Sequence, residues 1–115
     1  MSWMFNKFNK LREIKGVDKF ITNKVTDMKG MFSECKELEY LDLSNFDTSN
    51  VTKMNHMFNE CYKLKEIKGI NKFITNKVTN MKQMFNRCSE LESLNLSNFN
   101  TSNVNIWIIK FNYIY

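Results

Sequence analysis

The chain has 115 residues, 43% of them hydrophobic and 25% charged, with a formal net charge of +5. That composition excludes a disordered tail and leaves room for one small domain. No run approaches the roughly 18–20 uninterrupted apolar residues of a membrane-spanning helix. The start, Met1-Ser2-Trp3-Met4-Phe5-Asn6-Lys7, has no basic segment followed by an apolar core and a small-residue cleavage site. No export signal is recognisable there, and the chain is expected to stay where it is made.

One pattern recurs along almost the whole chain. It consists of Met-Phe, a small or apolar residue three positions on, a leucine-type segment, a phenylalanine and Thr-x-x-Val-Thr. Copies begin at Met4-Phe5, Met31-Phe32, Met57-Phe58 and Met84-Phe85, at steps of 27, 26 and 27 residues. This is the length of one turn of a repeat array, in which each unit buries its apolar side against its neighbours. The expected architecture is therefore an α/β solenoid of four 26–27-residue coils over residues 4–105, followed by a non-repeat apolar tail, 106–115.

In the first copy, Leu11, Ile14 and Val17 lead to Phe20, then Val25, Met28, Met31 and Phe32. In the second, Leu41 and Leu43 alternate with Asp42, the period-2 signature of a short strand with one buried face. Asn45-Phe46 turns the chain inward, and Asp47-Thr48-Ser49-Asn50 supplies side chains suited to capping a helix start. Val51, Met54, Met57, Phe58 and Cys61 then follow at helical spacing, which predicts a short helix opposite the strand. The third copy repeats these words as Leu64, Ile67, Ile70, Phe73, Val78, Met81, Met84 and Phe85. Odd copies carry one extra residue, Ile14-Lys15-Gly16-Val17 and Ile67-Lys68-Gly69-Ile70, read as a bulge at the glycines. The larger unit of duplication is thus a pair, 53 residues long. Phe20, Phe46, Phe73 and Phe99 are expected to form a single column.

Parallel stacking makes equivalent strand residues lateral neighbours roughly 4.8 Å apart. The column Arg12, Glu39, Lys65, Glu92 then alternates in sign at every step, and Lys15, Asp42, Lys68, Asn95 nearly does so, which favours this register. The exposed strand face, Arg12, Glu13, Lys15, Glu39, Tyr40, Asp42, Lys65, Glu66, Lys68, Glu92, Ser93 and Asn95, is the candidate partner-binding surface. Tyr40 is its expected anchor because aromatic side chains dominate contact energetics. The competing reading of the same residues is a solvated, charge-paired sheet.

Cys35, Cys61 and Cys88 occupy equivalent positions, with Phe8 in the first copy, which points to a buried apolar site. Parallel Cβ vectors hold neighbouring thiols too far apart for a bridge, so reduced thiols are expected. Paired ligands at metal-binding spacing are missing and His56 is the lone histidine, so neither a metal nor a cofactor is expected. Every candidate acid sits in a repeated position and no nucleophile or phosphate-loop motif is present, so the sequence does not point to an enzyme. The lysines are mostly interleaved with acids. Lys19, Lys24, Lys72 and Lys77 recur in odd copies only and would form a short row for a polyanion. Nucleic acid fits poorly, because the phenylalanines lie at core positions and not where bases would stack. After Val104 the pattern lapses into Ile106, Trp107, Ile109 and Phe111, which either cap the last unit, form a self-associating edge, or end a truncated array.

The segments Leu41-Asp42-Leu43-Ser44-Asn45-Phe46-Asp47-Thr48-Ser49-Asn50-Val51-Thr52-Lys53-Met54 and Met57-Phe58-Asn59-Glu60-Cys61 closely resemble BspA-type leucine-rich repeats. The resemblance covers roughly residues 4 to 105. It implies a right-handed leucine-rich-repeat-like solenoid, and a surface protein used in adhesion or recognition of a protein partner or host surface component. Beside the resemblance, the apolar tail allows end-to-end self-association, and the chain can also be read as a truncated fragment of a larger surface repeat protein with no independent activity. No lipid-attachment cysteine near the start and no anchor accompany the repeats.

Overall fold

The computed structural model describes residues 1–104. The expected α/β solenoid of four coils is not what forms. The chain folds into a small compact unit, with principal extents of 34 × 31 × 20 Å and a Cα radius of gyration of 12.7 Å. No α-helix occurs among the described residues, and the only sheet has two parallel strands, β1 (Tyr40–Asp42) and β2 (Glu66–Lys68). The first copy adds a single bridge residue, Glu13, beside Tyr40. In the fourth copy residues 91–96 are not strand, and Leu91, Leu94 and Leu96 there stay only partly buried. The period does appear in the pairing register: Tyr40, Leu41 and Asp42 lie beside Glu66, Ile67 and Lys68.

The predicted helices are replaced by chains of tight turns. In the second-to-third connection Met57 N–H bonds to Met54 O and Cys61 N–H to Phe58 O, each three residues back. His56 and Glu60, third in these four-residue turns, have φ of 59°, as a type II turn requires. Between these bonds, the N–H groups of Met54, His56, Phe58 and Glu60 reach sideways to the carbonyls of Asn80, Lys82, Met84 and Asn86, at 2.8–3.0 Å. An α-helix would spend the same N–H groups on its own carbonyls four residues back. The apolar spacing at Val51, Met54, Met57, Phe58 and Cys61 suits either geometry, because both return side chains to one side every three to four residues. Left-handed residues recur at Gly30 and Glu34 and at Gln83 and Arg87.

The core runs from Val17 to Cys88 and is centred on the methionines and on one ring column. Phe5, Phe32, Phe58 and Phe85 stack at centroid spacings of 5.4, 5.8 and 5.4 Å, with interplanar angles of 9° or less. The column expected from Phe20, Phe46, Phe73 and Phe99 is not continuous: Phe73 stacks on Phe99, while Phe20 stacks on Phe5. The Met-Phe phenylalanine holds the column because it sits in the turn segment whose N–H groups set the lateral spacing.

Polar residues join the copies as well. Thr22, Thr48 and Thr75 are buried, and each hydroxyl serves the following copy twice. Thr48 Oγ1 accepts from Ile74 N–H at 2.8 Å and donates to Ile74 O at 2.9 Å; Thr22 does the same for Asp47 and Thr75 for Asn100. The Thr-x-x-Val-Thr threonine is therefore a bridge between copies and not a helix cap. The extra residue of the odd copies is not a β-bulge. Gly16 and Gly69, at φ of 81° and 87°, open the three-residue 3-10 turns Val17–Lys19 and Ile70–Lys72.

Candidate functional site

On the strand side, residues of the first three copies enclose an open cleft of about 420 Å³, lined by Glu13, Ile14, Lys15, Gly16, Val17, Asp18, Tyr40, Leu41, Asp42, Glu66 and Lys68. The backbone ladder sets its layout. Glu39 N–H bonds to Arg12 O at 2.9 Å and Lys65 N–H to Glu39 O at 2.8 Å. Residues that follow in each copy are thereby held abreast, which puts Glu13, Tyr40 and Glu66 in one lateral row and Asp42 beside Lys68 in the row two residues on. Leu41 and Ile67 point the other way, into the core.

Tyr40 stands 51% exposed at the centre of the first row, a large ring held at a surface by a rigid strand. Neither flanking carboxylate, Glu13 or Glu66, takes part in an ion pair among the described residues. In the second row, Lys68 Nζ lies 3.7 Å from Asp42 Oδ2. Asp42 Oδ1 also accepts from Ser44 N–H at 3.0 Å and from Ser44 Oγ at 2.5 Å. The Ser44 hydrogen bonds, with a smaller share from the Lys68 charge, hold the Asp42 carboxyl below the usual carboxylate range. The wall opposite comes from Gly16, Val17 and Asp18, where left-handed Gly16 swings the chain into its 3-10 turn.

The cleft thus gathers Glu13, Lys15, Tyr40, Asp42, Glu66 and Lys68 from the sequence-derived set. Arg12, Glu39, Lys65 and Glu92 lie outside its lining. Their charge column is partly paired, with Lys65 Nζ 3.8 Å from Glu39 Oε2. Ser93 and Asn95 line a separate cavity of about 570 Å³ with Leu94, Leu96 and Ser97. Sequence reasoning missed Gly16, Val17 and Asp18. The available signal is the extra residue of the odd copies, at Gly16 and Gly69, which suits a 3-10 turn as well as a bulge.

Other chemistry-bearing groups lie elsewhere. Cys35, Cys61 and Cys88 are free and buried, and their Sγ–H groups donate to Phe5 O, Phe32 O and Phe58 O at 3.0–3.1 Å. Burial pushes the Cys35 thiol up to about 11 and the Cys88 thiol up to about 12, and raises Cys61 well above its ordinary value. Phe8, their counterpart in the first copy, is 45% exposed, so that position is a core site only where another copy covers it. His56 stacks on Trp3 at 6.3 Å, and partial burial, then the Lys29 and Lys82 charges, lower its pKa. No group of three or more His, Cys, Asp or Glu side chains able to hold a metal forms among the described residues. No helix among them is long and apolar enough to cross a membrane. The proposed row of Lys19, Lys24, Lys72 and Lys77 includes one engaged member, Lys77, whose Nζ donates to Asn50 Oδ1 at 2.9 Å. The tail over 106–115, with its three readings, lies outside the described residues.

A protein-family model described as "Mycoplasma protein of unknown function, DUF285" matches residues 1–113. No curated protein and no solved structure matches the chain.

Proposed function

We propose that this chain, which belongs to the DUF285 family of Mycoplasma proteins of unknown function, is a non-catalytic binding module that engages a protein partner through its strand side. The observation that carries this reading is the exposed Tyr40 ring, set on a hydrogen-bonded strand inside a cleft with charged side chains in register on both flanks. A fixed aromatic anchor with a polar rim is the arrangement that interface energetics favour. A role as an adhesion protein of the BspA type would use the same surface.

A catalytic role has less support. The thiols are buried and held protonated, and the lone histidine is packed on Trp3 away from the cleft. The polyanion reading is also weaker here, since the cleft's Glu13, Asp18, Asp42 and Glu66 outnumber Lys15 and Lys68. The test is crosslinking capture with the wild-type chain and with Tyr40→Ala/Lys65→Ala/Lys68→Ala. Alanine is preferred to charge reversal at the lysines, which would set new carboxylates beside Glu39 and Asp42. The partner should be lost by the variant; equal capture by both would exclude the strand side.

A further inference from the structure

We infer that the cleft takes an arginine side chain from an extended peptide, with an acidic residue two positions away on that peptide. The inference rests on the strand-side reading above and names its ligand chemistry. Although the chain carries a net +5, the row at the centre of the cleft is acidic. Glu13 and Glu66 lie on either side of Tyr40 in parallel register, about 4.8 Å away by strand spacing. No cation of the described chain pairs with either carboxylate. An exposed tyrosine face between two free carboxylates suits a planar guanidinium, which stacks on the ring while its N–H groups reach the acids. A lysine ammonium matches less well, because it offers a point charge and no flat face to stack.

The next row fixes the second half of the motif. Two residues along the strands, about 6.6 Å away, Asp42 stands beside Lys68, and Lys15 and Asp18 line the cleft on the first-copy side. Asp42 is already bonded to Ser44 and lies 3.7 Å from Lys68. An extended peptide places residues i and i+2 on one face at the same spacing, so arginine over the Tyr40 row puts its second neighbour over the Asp42–Lys68 row. With Asp42 taken up by Ser44, Lys15 and Lys68 are the cations an acidic side chain meets there, against Asp18 on the opposite wall. The ligand class is therefore an arginine with Glu or Asp two residues away, in extended conformation.

The experiment titrates a blocked Ser-Arg-Ser-Glu-Ser peptide into the isotope-labelled full chain and follows amide shifts. Two comparison peptides replace arginine by citrulline, or glutamate by lysine. Saturable binding in the millimolar range or tighter, with shifts centred on Glu13, Tyr40 and Glu66, is expected. Citrulline, and separately Glu13→Gln/Glu66→Gln, should each weaken binding by about tenfold, the sum of two partly screened charge contacts. The lysine-for-glutamate peptide should bind more weakly than the parent. Equal affinity for the citrulline peptide, unchanged affinity of the double variant, or no binding by the arginine peptide would each overturn the proposal. Both glutamates are exposed, and an unperturbed spectrum of the variant away from the cleft confirms its fold. The two readings separate cleanly. Capture that depends on Tyr40 without any peptide binding sinks the arginine assignment alone; arginine binding without loss of capture sinks the strand-side reading alone.

Discussion

Gly16 and Gly69 occupy equivalent positions in the duplicated pair, share φ near +80° to +90°, and open equivalent 3-10 turns, yet alanine should affect them very differently. The left-handed backbone alone disfavours alanine by roughly 1–2 kcal/mol at either site. At Gly16 nothing lies within 4 Å of an added Cβ, so this is the whole effect. At Gly69 the added Cβ would sit 2.4 Å from Ser44 Cα, 2.6 Å from Ser44 N and 2.9 Å from Leu43 C. These are backbone atoms of the preceding copy, held by the Leu43 N–H bond to Lys68 O at 2.9 Å, so they cannot swing aside as a side chain would. Overpacking of this kind adds about 1–3 kcal/mol. Gly69→Ala should therefore destabilise the fold by about 2–5 kcal/mol and Gly16→Ala by about 1–2 kcal/mol. Urea unfolding of both variants with unchanged m-values measures the difference directly. At roughly 4 °C per kcal/mol, the melting points should lie at least about 4 °C apart. Equal midpoints would mean that the second copy does not lie over Gly69, and the pairing of Asp42 with Lys68 would fall with it.

Three further outcomes are expected. Thr48→Val removes the hydroxyl that serves Ile74 N–H and C=O, and should cost about 1–3 kcal/mol in urea unfolding, with Thr48→Ser recovering most of it. The buried thiols should resist an aromatic disulfide reagent at pH 8 in the folded chain and react fully in urea, because only the thiolate attacks. Their folded pKa values lie above the unfolded range near 8.5–9, so the unfolded state releases protons first. Stability should hold below about pH 8.5 and fall as pH rises toward 11–12, by up to about 4 kcal/mol per pH unit if all three thiols contribute, and Cys61→Ala should flatten that slope. Among the surface charges, Glu39→Ala should change stability by at most about 1 kcal/mol, since its partner Lys65 is partly exposed and the pair is 3.8 Å apart. Asp42→Ala should cost more than Glu39→Ala, because it also frees Ser44 N–H and Oγ.

The lateral register was legible because equivalent residues recur at 26 and 27 positions, and pairs such as Leu41 with Ile67 follow directly. The helices were not. Apolar returns at Met54, Met57, Phe58 and Cys61 satisfy a helix and a chain of type II turns equally. The residues that decide between them, His56 and Glu60, are not glycines and announce no left-handed backbone. Only Gly30, just ahead of the Met31-Phe32 pair, does so. The threonines were misassigned for a related reason: a hydroxyl that caps a helix and one that bridges to the next copy satisfy the same kind of free amide. In the cleft, the strand residues were legible from period-2 alternation. The wall was not, because one inserted residue at a glycine fits a β-bulge and a 3-10 turn equally.

Repetition also explains why a specific site arises where it does. A row of identical side chains would present the same chemistry at every copy and favour no single position. The equivalent positions Glu13, Tyr40, Glu66 and Ser93 break that sameness: they hold one ring, with an acid on each side of it, and only at the second copy. Because the first and third copies are the related pair, the two glutamates recur at the 53-residue spacing, and the tyrosine between them belongs to the alternate copy type. The Gly16 turn closes the cleft on the first-copy side, while the equivalent Gly69 turn is packed against Ser44 and leaves no such opening. Duplication thus supplies the flanking carboxylates, and the Gly16 turn supplies one wall of the cavity. On this argument, replacing Tyr40 with serine, the residue at the equivalent fourth-copy position, should abolish recognition while leaving the fold intact, and a stable Tyr40→Ser chain that still binds the arginine peptide as wild type would contradict it.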